Sequence, residues 1–121
     1  MNSLTKSERL CSYGAIRRLF KEGQSGFVYP FRYMFYVEDA AQPEAAILFS
    51  TPKKFHKRAN KRNTIRRRMR EIYRLNKQLL VEPLGNRRIE LALIYSSKTL
   101  HDYKTIEHAL RKSLEQIVAS L

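Results

Sequence analysis

Between Lys53 and Lys77 the chain sets twelve of its twenty-four lysines and arginines against a single acid, Glu71. Side chains of this kind are cationic at neutral pH. Their chemistry is the recognition of anions, and arginine, which predominates, holds phosphate oxygens bidentately and stacks on bases. Twelve cations this close repel one another, so a compensating polyanion is implied, and a nucleic-acid backbone fits best. The alternative is a solvated charged face. Against it stand the nearly uniform sign and the scarcity of acids at i,i+4 spacing, with Glu71 the single one in the run.

Residues able to do acid–base or metal chemistry are present but not grouped. His56, His101 and His108 are far apart in the sequence and lack metal-ligand spacing, which suggests surface or loop roles. His101 and Asp102 adjoin without a nucleophile motif. The eleven acids are scattered, with no D-x-D or E-x-x-H pattern for a two-metal nuclease. Four glycines form no phosphate loop. The single Cys11 can neither close an internal disulfide nor begin a zinc cluster. The sequence therefore assigns no catalytic residue and no metal ligand.

One compact domain over residues 1–121 is expected from the length. A hydrophobic fraction of 43%, with seven tyrosines and six phenylalanines, supports a packed core and argues against a disordered basic tail. The net charge of +13 favours nucleic acid over an anionic membrane surface, since the basic helix lacks Trp and no lipidation signal is present. No apolar run has spanning length and the N-terminus has no apolar signal core, so a cytoplasmic location is expected.

Residues 1–11 read as an extended lead-in. Ser12 is a candidate N-cap for a helix from Tyr13 to about Glu22, with Ile16, Leu19 and Phe20 on one face and Gly23 as its stop. Gln24 to Gly26 reads as a turn, Phe27 to Val37 as one or two strands, Glu38 to Pro43 as a hairpin-type loop, and Ala45 to Ser50 as a short buried strand. The basic run becomes a helix from about Ala59 to Leu80. Its apolar arc holds Ile65, Met69, Ile72, Tyr73, Leu75 and Leu79, and a neighbouring arc holds Asn63, Arg66, Arg67, Arg70, Arg74 and Lys77. Arg62 sits at the border and Arg68 snorkels from the apolar edge. Ile89 to Tyr95 is nearly all apolar, as a central strand covered on both faces would be. Asp102 caps a last helix bearing Ile106, Leu110, Leu114, Ile117 and Leu121. The order αβββαβα predicts an α+β or α/β sandwich. Alternation in the second strand puts Arg32, Met34 and Tyr36 on one face and Tyr33, Phe35 and Val37 on the other. The first set suits an unpaired nucleic-acid strand, unless both faces are core.

The segment Arg62-Asn63-Thr64-Ile65-Arg66-Arg67-Arg68-Met69-Arg70-Glu71 resembles the R-N-R-x-K-R-x-x-R-E signature of the bacterial ribonuclease P protein subunit. Thr64 replaces a basic residue and Arg66 a lysine. Leu4 to Leu10 resembles the opening of that family. Ile16 with Phe20-Lys21-Glu22-Gly23 resembles its F-x-x-x-F-K-x-G helix, with Ile16 in place of an aromatic. Ser50-Thr51-Pro52-Lys53-Lys54 resembles its S-x-S-K-K strand end, and the connection Phe55 to Lys61 is more basic than the family's usual one.

The resemblance implies a four-stranded mixed sheet with a left-handed βαβ crossover around the basic helix. It implies a subunit of the ribonucleoprotein that removes the 5′ leader from precursor tRNA, with the active site and Mg²⁺ held mainly by the RNA subunit and substrate. The implied partners are ribonuclease P RNA and the single-stranded leader, the protein being monomeric outside the particle. Lys53, Lys54, Arg58, Arg62, Asn63, Arg66, Arg67, Arg70 and Arg74 are expected to bind RNA. Ile16, Phe20, Met34, Tyr36 and Ser50 are expected to line a leader cleft. A ribosomal protein or RNA chaperone would share the charge and mixed topology without the arginine spacing. A DNA-binding regulator would need a reading helix and dimer seam that are missing.

Overall fold

The computed structural model describes residues 13–121, so Cys11, the Ser12 cap, the lead-in and the opening motif lie outside the described residues. Helix α1 spans Tyr13–Glu22. It stops at Gly23, whose N–H returns to the Leu19 carbonyl at 2.9 Å. A Cβ at this position would run into the Leu19 and Phe35 carbonyl oxygens, so only glycine lets the chain turn this tightly into the sheet.

Strands β1 (Gln24–Val28) and β2 (Phe31–Asp39) pair antiparallel around a cis Tyr29–Pro30 peptide. Gln24 to Gly26 is therefore strand, not turn. Gly26 is needed for clearance, since a Cβ there would land inside the Tyr33 phenol opposite. Strand β3 (Glu44–Ser50) does not form a hairpin with β2, contrary to the expectation for the Glu38–Pro43 loop. Strand β4 (Arg87–Tyr95) lies between them, antiparallel to β2 and parallel to β3, giving the order β1-β2-β4-β3. The apolar run in β4 explains the insertion. Ile89, Leu91, Ala92, Leu93 and Tyr95 are all buried, and only a central strand offers cover on both faces.

The basic helix α2 covers Ala59–Asn76, shorter than the span expected to reach Leu80. The Asn76 amide caps the Ile72 carbonyl at 2.8 Å, and the chain restarts as a single turn, α3 (Gln78–Val81). A 3₁₀ turn at Glu82–Leu84 follows, containing Pro83. The break turns Leu79 outward, and Leu75 also lies exposed at the edge of the arc, so neither joins the core as expected. Helix α4 (Tyr103–Ala119) starts at Asp102, whose carboxylate accepts from the Thr105 N–H at 2.9 Å. Hydrogen bonding from the Thr105 side chain, and then from its N–H, holds Asp102 below the usual carboxylate range.

The sheet is covered unequally. Helices α2 and α4 pack Ile65, Met69, Ile72, Tyr73, Ile106, Leu110, Leu114 and Ile117 over Phe31, Tyr33, Phe35, Ile47, Leu91 and Leu93. On the other face α1 makes a smaller cluster, with Leu19 over Ala46 and Ala92, flanked by Ala15, Ile16, Met34, Tyr36 and Leu48. The second face of β2 is thus core under α1, and open beyond it among the described residues.

Candidate nucleic-acid interface

Helix α2 is held by Ile65, Met69, Ile72 and Tyr73, and this fixes which cations point outward. Arg67, Arg70 and Asn63 are exposed, and Arg66 is half-buried with its guanidinium on the Asn63 side-chain oxygen at 2.6 Å. The first turn carries no acid, and its N-cap, Arg58, supplies no capping side chain. Exposed Lys53, Lys54, Lys57, Arg58 and Lys61 surround this end. Within the first turn the Lys61 N–H is taken by Asn60 Oδ1 at 2.9 Å, and the positive end of the helix dipole coincides with these cations, which suits phosphate.

Two arginines of the expected set are otherwise occupied. The Arg62 guanidinium donates to the carbonyls of His56 at 3.0 Å and Lys57 at 2.8 Å, folding the basic connection back on the helix. Arg74 forks onto Glu71, with Nε to Oε2 at 3.2 Å and Nη2 on Oε1, so an acid at i,i+3 spacing does neutralise part of the cationic arc. The pairing holds Glu71 below its ordinary range.

Of the expected cleft residues, Ile16, Met34 and Tyr36 come together under α1. Phe20 stands at the rim, 48% exposed, and shares an open hollow along α1 with Ile16, Arg17 and Lys21. Tyr36 is partly covered, because the Arg18 guanidinium lies 4.7 Å above its ring. Ser50 lies one row away, paired with Ile94 across β3 and β4.

A family model described as Ribonuclease P matches residues 4–118. The chain belongs to the ribonuclease P protein family. The ribonuclease P protein component of Porphyromonas gingivalis is similar, at 39% identity over 121 residues, covering 98% of this chain and 88% of the relative. That of Chlorobaculum tepidum is 33% identical over 111 residues, covering 80% of this chain and 70% of the relative. The solved ribonuclease P protein of Thermotoga maritima superposes with a TM-score of 0.73 at 26% identity, covering 90% of this chain and 96% of the other. The Staphylococcus aureus structure, at 21% identity and TM-score 0.68 over 93% of this chain and 95% of the other, supports the fold. The chain is thus a protein subunit of ribonuclease P, which processes the 5′ ends of precursor tRNA.

Two features of this ribonuclease P protein were not visible in the sequence. His56 is buried rather than on a surface loop, with Nε2 on the Ser97 carbonyl at 2.8 Å. His101 stands nearby, its Nε2 3.3 Å from Ser97 Oγ, and both rings lie against Tyr95. Burial raises the Tyr95 phenol, whose hydroxyl accepts from the His101 N–H. This cluster braces the connection before α2. The second feature is an ion network over the sheet. Buried Glu90 receives Arg18 at 2.7 Å, and Arg88 lies 3.7 Å from Glu90 and 2.9 Å from Glu44. Glu38 stands 3.6 Å from Arg18. Each nearby carboxylate therefore faces a guanidinium, and among the described residues no group of three or more His, Cys, Asp or Glu could hold a metal ion. These residues do not fit a Mg²⁺ site of the protein's own. No described helix is long and apolar enough to cross a membrane.

Proposed function

We propose that this subunit acts as one RNA-binding unit that joins ribonuclease P RNA and the precursor tRNA leader without catalysing cleavage itself. Lys53, Lys54, Arg58, Asn63, Arg66, Arg67 and Arg70 meet RNA phosphates. Arg62 shapes the connection that presents them, and Arg74 contributes less because Glu71 shares its charge. The leader runs past Phe20, over Ile16 and Met34, along the edge of Tyr36 and towards Ser50. Mg²⁺ would be held by the RNA subunit and substrate rather than by this chain, and would supply Lewis-acid chemistry there. The observation that carries this reading is the cationic face of α2, anchored by its buried side and starting without an acid or a cap.

The test is reconstitution. The purified protein is mixed with ribonuclease P RNA and precursor tRNA at low Mg²⁺, beside RNA-free protein and RNA alone. Leader release by the mixture only is expected. Site-specific cleavage by rigorously RNA-free protein would overturn the assignment of chemistry to the RNA.

A further inference from the structure

The half of the sheet face that α1 leaves open carries its own set of residues. The register aligns Phe27, Arg32, Ile94 and Ser50 in one row across β1, β2, β4 and β3. At about 4.8 Å per strand the row is roughly 14 Å long. Its neighbour, with Met34, Ala92 and Leu48, is already under α1. Phe27 is 52% exposed although it is a large ring in a strand, and Tyr29 just beyond it is 57% exposed.

Neither ring is loose. The Phe27 and Tyr29 centroids lie 6.3 Å apart edge to face, and Tyr29 also meets the His101 ring at 5.4 Å. The Tyr29 hydroxyl is 2.9 Å from Ser97 Oγ. Arg32, between Phe27 and Ile94, is exposed, and its guanidinium has no hydrogen-bond or ion-pair partner among the described residues. Exposed Lys53 and Lys54 follow Ser50 at the far end of the row.

Pre-ordered rings, an unengaged guanidinium and flanking cations make a platform suited to bases with their phosphates attached. These solvent-exposed rings belong neither to the larger core on the opposite face nor to the smaller one under α1. Because the row adjoins Met34 and ends at Ser50, its occupant is a strand continuing from the α1 cleft.

We propose that Phe27, Tyr29 and Arg32 form a second stacking station, which takes unpaired leader nucleotides beyond those held at α1. The station rests on the leader reading above and lengthens the stretch of leader that this subunit grips.

The holoenzyme tests it. Affinities for precursor and mature tRNA are measured with leaders of stepped length for Phe27→Ala, Phe27→Trp, Arg32→Ala and Phe20→Ala. Phe27→Ala should lower the precursor-to-mature affinity ratio about fivefold or more for long leaders, the effect of losing one stacked base. Phe27→Trp should retain the ratio, and Arg32→Ala should lower it with a smaller salt dependence. With leaders too short to leave the α1 cleft, Phe27→Ala should behave as wild type. If Phe20→Ala lowers the ratio while Phe27→Ala does not, the station is overturned and the cleft stands. If neither does, the leader reading fails and takes the station with it. If Phe27→Ala weakens precursor and mature tRNA equally, or weakens assembly with ribonuclease P RNA, the platform serves another RNA and the proposal is wrong. Phe27 is an exposed edge residue, so its substitution leaves the core intact.

Discussion

Individual arginines on α2 differ more in their surroundings than in their spacing. Arg67 and Arg70 are exposed and form no ion pair among the described residues, although Glu71 follows Arg67 by four residues, because Glu71 is clamped to Arg74. Glu71 raises Arg74 through their hydrogen bond, so that cation is spent inside the protein. Arg67→Ala and Arg70→Ala should each lower the log–log salt slope of RNA binding by about 0.7–0.9, the share of one phosphate contact. Arg74→Ala should change the slope by much less. The check is binding to ribonuclease P RNA across a salt series, and equal slopes for all three variants would contradict this ranking. Arg62 behaves differently again. It donates to two carbonyls of the 56–57 backbone, so its loss should reduce stability together with binding.

At the scale of elements, α1 is the exposed partner and depends on a charge clamp. Its buried contact is small, centred on Leu19, and it is fastened by Arg18 reaching buried Glu90. Glu90→Gln keeps the shape but removes the charge from that bond. Protection of α1 amides from hydrogen exchange should then fall on the order of tenfold, while α4 amides keep theirs. Unchanged α1 protection would mean that apolar packing alone holds the helix. The sequence disclosed α1, its stop at Gly23, the Asp102 cap and the buried side of α2, because each is a local signal of period or capping. The insertion of β4 between β2 and β3 was not local. It follows from the apolar run in β4 needing cover on both faces, a requirement that sequence shows without naming the neighbours. The break at Lys77 was missed for the same reason, since Asn76 reads as an ordinary helix residue until its amide is seen on the Ile72 carbonyl.

Over the whole molecule, one group of cations gathers at one end of the sheet. Strands β3 and β4 run parallel, so Ser50, Lys53 and Lys54 meet the start of α2 at the end of the sheet where Ser97 and His101 brace the connection. The basic connection was legible as charge. Its rigidity was not, because it comes from His56 and Arg62 contacts made across the fold. A fixed group of cations against RNA replaces condensed counterions and reduces the divalent ion needed to fold and dock that RNA. The wild-type particle should therefore cleave precursor tRNA at a lower Mg²⁺ midpoint than the RNA alone. Arg66→Ala, Arg67→Ala and Arg70→Ala combined should move that midpoint back towards the RNA-only value, while the melting temperature stays near wild type because all three lie off the buried arc. The measurement is a Mg²⁺ titration of leader cleavage at fixed monovalent salt, repeated at saturating protein to separate weak assembly from impaired function. A triple variant that assembles and keeps the wild-type midpoint would show that the cationic face of α2 does not offset RNA charge, and would leave only its apolar side with a role.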